Sequence, residues 1–293
     1  MDYGIKKHER YGYKHLDPIP SPGEISSFYE GTFAEMVKEG KTGPGMKRLL
    51  EGGEEAKWER EWRRSTWYSD ISHFIQSINP DSASLLDVGC GIGELLLFAE
   101  SEGFDTVGVE PSPELGKRAR NKGLSVHTDK IENFAEYYTK KFDVVSMIQV
   151  LHHIRSPEEV IGKARNLLNK GGIIVVKTPN DFNSLQKSIT SKSEADKWWV
   201  RSPMVINYFD YKSLAKLLEG EGFSVEVEYA DFPMELFLLM GDDYIDGPAR
   251  GEEVHKKRVR FEKSIPDRVR RDMYSSFANT KIGRNVTILG VKK

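Results

Sequence analysis

The feature that most constrains the fold is the glycine-rich stretch Asp87-Val88-Gly89-Cys90-Gly91-Ile92-Gly93. Before it, Leu85-Leu86-Asp87-Val88 is short and apolar, as strands buried on both faces are. After it, Leu95, Leu96, Phe98 and Ala99 recur on one helical face, and Gly103 closes the helix. Glycines suit the turn because the chain reverses sharply and its backbone must approach a ligand closely. The helix start offers free N–H groups that attract negative charge. A strand, turn and helix of this kind belong at the carboxyl edge of a parallel sheet, where open α/β sheets bind ligands.

The rest of the chain repeats this alternation. Thr106 to Glu110 reads as the second strand. Ser112-Pro113-Glu114 opens a helix, with Ser as N-cap, Pro at the first helical position and an acid in the first turn; it stops at Gly123. Leu124 to His127 and Phe142 to Met147 read as strands three and four. Ser156-Pro157-Glu158-Glu159 reads as a capping box. It opens a helix carrying Val160, Ile161, Ala164, Leu167 and Leu168, which Gly171-Gly172 end before strand five, Ile173 to Val176. A helix at Tyr211–Glu219, a strand at Phe223–Tyr229 and a last strand at Val286–Val291 complete the pattern. Such alternation demands a mostly parallel, doubly wound sheet with helices on both faces.

Three pieces lie outside this core and are candidate lids: an N-terminal extension, 1–83, and insertions at 180–209 and 232–283 of the domain 84–293. Within the extension, Glu54 to Ile78 reads as helix, with Trp58, Trp62, Ile71, Ile75 and Ile78 on one side. The single cysteine, Cys90, excludes an internal disulfide and a multi-cysteine zinc site. The start, Met1 to Arg10, is polar and no apolar run approaches the ~20 residues that cross a bilayer, so a cytoplasmic protein without membrane insertion is expected. The net charge of −2 hides an asymmetry, because residues 248–293 hold 13 Lys/Arg against 5 Asp/Glu. That excess reads either as a solvated basic helix face or as a surface attracting an anionic acceptor.

The glycine spacing separates two ligand classes. A dinucleotide fingerprint, G-x-G-x-x-G, would need a third glycine at 94 or 96, where Glu94 and Leu96 stand. Glu110, at the end of strand two, can accept both ribose hydroxyls of an adenosine. These residues fit an adenosine ligand without a phosphate cradle.

Together the motifs resemble the class I S-adenosylmethionine (SAM)-dependent methyltransferases. L-L-D-V-G-C-G-I-G at 85–93 resembles their first motif and V-G-V-E-P-S at 107–112 their second. F-D-V-V-S-M-I-Q-V-L-H-H-I at 142–154 and N-L-L-N-K-G-G-I-I-V-V at 166–176 resemble the segments that follow. The resemblance implies a Rossmann-like α/β fold, SAM as cofactor and S-adenosylhomocysteine (SAH) as product. It implies that Gly89 and Gly91 pass under the methionine part, Glu110 binds the ribose, Asp129 meets the adenine amino group and Gln149 lines the methyl-donor end. Their neighbours Asp87, Cys90, Pro111, Lys130 and Ile131 are expected at the same site. Leu16-Asp17-Pro18-Ile19-Pro20-Ser21 with Phe28-Tyr29, and Ile206-Asn207-Tyr208-Phe209-Asp210, look like segments of methyltransferases from polysaccharide and natural-product pathways. Those relatives often carry His where Val205 stands here, so no base is taken from that position.

The sulfonium methyl of SAM is already activated, so positioning and desolvation can supply most of the catalysis. An oxygen acceptor also needs a base, and His152 and His153, just past strand four, are the candidates. Tyr208, Met234, Glu235 and Trp198 lie in the inserted pieces and are candidate acceptor contacts. Asp242, Asp243 and Asp246 have no metal-loop spacing, so no metal is expected. The expected activity is O-methylation of a sugar, nucleotide-linked sugar or other small metabolite. A nucleic-acid methyltransferase would use His255 to Arg260 and Arg268 to Arg271, against a slightly acidic chain with no recognised nucleic-acid module. A catalytically silent SAM-binding protein would keep the same loop without turnover, and a nicotinamide oxidoreductase would bind NAD there.

Overall fold

The computed structural model describes residues 3–27, 44–192, 197–245 and 248–293. The strands are β1 (Gly4–Lys7), β2 (Lys14–Asp17), β3 (Ser84–Val88), β4 (Asp105–Val109), β5 (Val126–His127), β6 (Phe142–Ile148), β7 (Leu168–Pro179), β8 (Asn207–Tyr208), β9 (Phe223–Ala230) and β10 (Asn285–Lys292). Seven of them form the central sheet, in the order β5-β4-β3-β6-β7-β10-β9. β5, β4, β3, β6 and β7 run parallel, and β10 is antiparallel to both its neighbours. This is the doubly wound, Rossmann-like arrangement expected.

The middle strands are apolar throughout because both faces are covered: Val144, Val145, Met147, Ile173, Ile174, Val175 and Val176 are inaccessible to solvent. On one face pack helices Ile131–Tyr137, Pro157–Leu167 and Tyr211–Gly220; on the other, Ser69–Ile78, Glu94–Ser101 and Pro113–Arg120. The antiparallel course of β10 has a consequence for the site. It starts where the parallel strands end, so Asn285 pairs with Pro179 at the carboxyl edge of β7.

The pieces outside the core are tied to each other. β1, β2 and β8 form a small antiparallel sheet that joins the N-terminal lead-in to the 180–209 insertion. Phe28 and Tyr29 of that lead-in lie outside the described residues. The stretch Glu54 to Ile78 is helical but not one α-helix. Helix Gly53–Arg63 passes through a π-helical turn, Arg64–Tyr68, into Ser69–Ile78. The wider turn brings Trp62 and Trp67 to 5.0 Å, edge to face.

Three local readings are corrected. Ser156 makes no capping bond. Glu158 faces the N-terminal hairpin instead, taking the Tyr13 hydroxyl at 2.9 Å and lying 3.0 Å from His8 Nε2. The helix ends at Leu167 rather than at Gly171-Gly172, and Leu168 already belongs to β7, opposite Phe142. The glycines lie inside that strand, where a register shift against β6 accommodates them. The capping box that does form, Asp210 with Ser213, opens helix Tyr211–Gly220.

The basic C-terminal stretch divides: Lys256, Lys257, Arg260, Lys263 and Arg268 are exposed, as on a solvated face. Arg258 and Arg270 are buried, not on a solvated face. Arg258 pairs with Glu262 at 3.1 Å, and Arg270 pairs with Asp70 at 2.9 Å. Part of the charge excess at 248–293 therefore answers acids of the N-terminal extension inside the fold.

Candidate active site

The glycine turn is built by its backbone. Gly89 and Cys90 donate their N–H groups to Val109 O at 2.7 and 3.2 Å, which pins the turn to the end of β4. Gly89 has φ +71°, and a Cβ there would lie 2.5 Å from Val150 Cγ2, so the position demands glycine. Gly91 has φ +55° and open space where a Cβ would be, so its backbone is bare to the crevice. Cys90 is buried, with its sulfur against Gly108 of β4, and burial pushes its thiol well up.

Two carboxylates line the turn. Asp87 is buried and accepts the Ser146 hydroxyl at 2.7 Å. Burial, helped by the charge of Glu110, pushes it up to about 7. Glu110 is buried and accepts the N–H of Gly91 at 2.9 Å and of Ser112 at 2.8 Å, while burial raises its pKa. Each oxygen keeps a lone pair to offer a ligand. Glu94 does not face this space. It is buried between Arg60, at 2.6 Å, and Lys122, at 2.8 Å, so the acids that would repel a phosphate are Asp87 and Glu110.

Further along the edge, Asp129 is half-buried and accepts from Lys130 N–H, Asn133 Nδ2 and Tyr137 Oη at 2.7, 2.9 and 3.3 Å. Its Asn133 hydrogen bond, chiefly, holds its pKa down. Pro111 and Lys130 are exposed, whereas Ile131 is part of the main core.

Past β6 the chain enters the other half of the site. Gln149 is left-handed, φ +62°, and its side-chain amide donates to Asn285 Oδ1 at 2.8 Å. His152 is buried, with Nδ1 3.1 Å from Thr178 Oγ1. Burial, with the charges of His153, Arg201 and Arg284, pushes it well below its ordinary value, so it is a neutral imidazole at pH 7. His153 is half-buried, has Nδ1 2.6 Å from Met204 O, and is likewise lowered by burial.

The inserted pieces divide. Tyr208 is buried and gives its hydroxyl to Val205 O at 3.1 Å, so it packs the small sheet together with Leu16, Trp199 and Met204. Trp198 is half-buried beside that cluster. Met234 packs on the main core, and Glu235 is fully buried next to Arg284. Asp242 pairs with Lys257, Asp243 caps Ile245, and Asp246 lies outside the described residues.

Sequence reasoning missed the network behind Gln149. Asn285 donates its N–H and its Nδ2 to Asp231 at 2.8 and 2.5 Å. Asp231 lies 3.5 Å from both Lys177 and Arg258. The Lys177 ammonium, buried in β7, stands 3.8 Å over the Trp67 ring. A lysine in the run Ile173-Ile174-Val175-Val176-Lys177 was the available signal, because a buried charge must be paired.

Residues 60–228 match the model of a family described as a methyltransferase domain. The chain belongs to the class I SAM-dependent methyltransferases. SAM is the cofactor of these enzymes, and this crevice fits it: a glycine backbone bare to the ligand, and two acids suited to ribose hydroxyls and a cationic ligand. A ubiquinone biosynthesis O-methyltransferase of Xanthomonas oryzae pv. oryzae is 36% identical over 104 residues, 33% of this chain and 44% of that protein. A dTDP-3-amino-3,4,6-trideoxy-alpha-D-glucopyranose N,N-dimethyltransferase of Streptomyces venezuelae is 32% identical over 114 residues, 37% of this chain and 47% of that one. The chain thus spans less than half the length of these relatives. The crystal structure of a SAM-dependent methyltransferase from Archaeoglobus fulgidus superposes with a TM-score of 0.52 at 18% identity, over 82% of this chain and 100% of that one, and shares its fold.

Proposed function

We propose that the chain transfers the methyl group of SAM to a hydroxyl oxygen of a sugar, a nucleotide-linked sugar or another small metabolite. The observation that carries this reading is one sheet edge with two chemistries: the bare glycine turn with Asp87 and Glu110, then a neutral buried imidazole at His152. SAM, when bound, supplies a methyl group on a positively charged sulfur. Glu110 takes the ribose hydroxyls, Asp129 the adenine amino group, and Gly89 and Gly91 run under the methionine part. Glu110, and Asp87 in its charged form, favour the cationic ligand by Coulomb attraction from buried positions.

An acceptor hydroxyl becomes strongly acidic as it gains a methyl group. A weak base therefore suffices, and His152 takes that proton late in the transfer. Its partner Thr178 fixes the ring, and His153 ties the following loop to Met204. The small sheet β1-β2-β8 and the 180–209 insertion act as the lid. Nucleic acid is disfavoured as acceptor because the chain is slightly acidic as a whole and two of the clustered arginines, Arg258 and Arg270, are spent inside the fold. No described helix is long and apolar enough to cross a membrane.

An amine acceptor is the second reading. It is favoured by the suppressed basicity of His152, since a neutral amine needs no base. One experiment separates the two. SAM is incubated with the chain and a panel of hydroxyl- and amino-bearing sugars, and SAH and methylated product are followed by mass spectrometry. Under the first reading His152→Ala lowers turnover on the order of a hundredfold or more and spares SAM affinity. Turnover confined to amines and indifferent to His152 would establish the second, and no turnover with bound SAM would defeat both.

A further inference from the structure

A second polar cluster lies at the carboxyl end of β7, and the transfer step leaves it unused. Asp181 follows the strand, and Gln186 Nε2 bridges Asp181 Oδ1 at 3.3 Å and Glu235 Oε1 at 3.2 Å. Arg284, just before β10, reaches Glu235 Oε1 at 3.4 Å and lies 4.0 Å from Asp181 Oδ1. Both contacts to Glu235 fall on the same oxygen. The other, Oε2, is buried without a hydrogen-bond partner among the described residues, in a side chain with no solvent exposure. Asn180, 1% exposed, also leaves its Oδ1 unpartnered.

A structural ion pair would satisfy both carboxylate oxygens, because a buried acceptor without a donor is costly. Glu235 instead spends one oxygen on being held and leaves the other, though buried, without a donor. The cluster shares the acceptor edge of the sheet: Thr178, the partner of His152, and Asn180 stand at the end of β7. The charge of Arg284 also bears on His152. Arg284 is 25% exposed against 0% for Glu235, so the approach from solvent lies on its side.

We propose that Glu235 Oε2 is the acceptor-recognition group: it takes a hydrogen bond from an O–H or N–H of the substrate. The acceptor is therefore a hydroxyl or amino compound, neutral or cationic at this point, and not one that presents phosphate or carboxylate there. A carboxylate lone pair repels an anion and attracts a donor. This rests on the reading of the chain as a methyltransferase of small polar acceptors, and it replaces the anionic acceptor that the basic C-terminal stretch suggested.

The test is calorimetric titration of the full chain, saturated with SAH, using D-glucosamine, D-glucose and glucose 6-phosphate as probes. Glucosamine or glucose should bind, and the phosphate should add no affinity. Glu235→Gln should weaken the bound probe on the order of tenfold to a hundredfold, with SAH affinity as in the wild type. A glucosamine advantage that disappears in this variant assigns an ammonium donor; equal losses for both sugars assign a hydroxyl. Should Glu235→Gln not fold, Glu235→Asp keeps the charge, withdraws the oxygen by one carbon and should lose binding likewise. Probes that bind the variant as well as the wild type, tighter binding of glucose 6-phosphate than glucose, or no binding of any probe would overturn the proposal. Failure to bind SAH would defeat the methyltransferase reading instead.

Discussion

The two halves of the active-site edge are held by different means. On the cofactor side most of the bonds that shape the turn run through the backbone over short spans, Gly91 to Glu110 over 19 positions and Ser112 to Glu110 over 2, with Ser146 to Asp87 the longer one at 59. Around it, the extension and the C-terminal elements are tied by side chains far apart. Gln149 to Asn285 spans 136 positions, Trp62 to Glu262 spans 200, and Arg270 to Asp70 spans 200. A loop fixed by its own strands can hold a constant ligand whatever is added around it. Pieces joined over such distances can change without touching the glycine turn.

The largest effect should come from breaking the long-range half. Asp70 accepts two bonds from Arg270 and the hydroxyl of Tyr229, all buried. Asp70→Ala leaves Arg270 with Asp267 as its remaining acid and the buried Tyr229 hydroxyl without its acceptor, and should cost about 2–3 kcal/mol of stability in denaturant unfolding. A cost below about 1 kcal/mol would mean that the extension is not clamped by this pair. The cofactor half should respond in the opposite manner. Gly91→Ala meets no atom of the protein but places a methyl group where the ligand passes. It should lower SAM affinity tenfold or more while costing only about 1–2 kcal/mol of stability for its positive φ. A large loss of stability with SAM affinity intact would reverse the comparison.

A further effect is one of pH. Asp87 is raised from the ordinary carboxylate range to about 7, so the folded state binds more protons than the unfolded state between about pH 4 and 7. Its contribution to stability falls as pH rises through that window. Asp87→Asn should therefore gain on the wild type in melting temperature from about pH 4 upwards, with the gap constant above about pH 7. SAM affinity of the wild type should rise over the same range, and SAH, which lacks the sulfonium charge, should rise less. A gap that shrinks with pH would show that Asp87 is not a buried acid burdened by its charge.

The same contrast explains what could be read from the chain. Leu85 to Gly93, Glu110 and the succession of strands and helices were legible because strand, turn and helix follow one another along the chain. The capping reading at Ser156 failed, and the distant partners of the neighbouring Glu158, Tyr13 and His8, had no signal in the local pattern. Arg270 read as a surface residue because its acid, Asp70, stands 200 positions earlier in the sequence. Lys177 and Asp231 gave too little periodicity to join on paper, and only the sheet brings them within 3.5 Å.

The cofactor assignment is tested most sharply by calorimetric titration of SAM, SAH and NAD into the wild type and into Glu110→Ala. The wild type should bind SAM and SAH stoichiometrically and NAD not at all, and the variant should lose SAM affinity by tenfold or more. SAM bound equally well by both proteins, or NAD bound in place of SAM, would contradict the assignment.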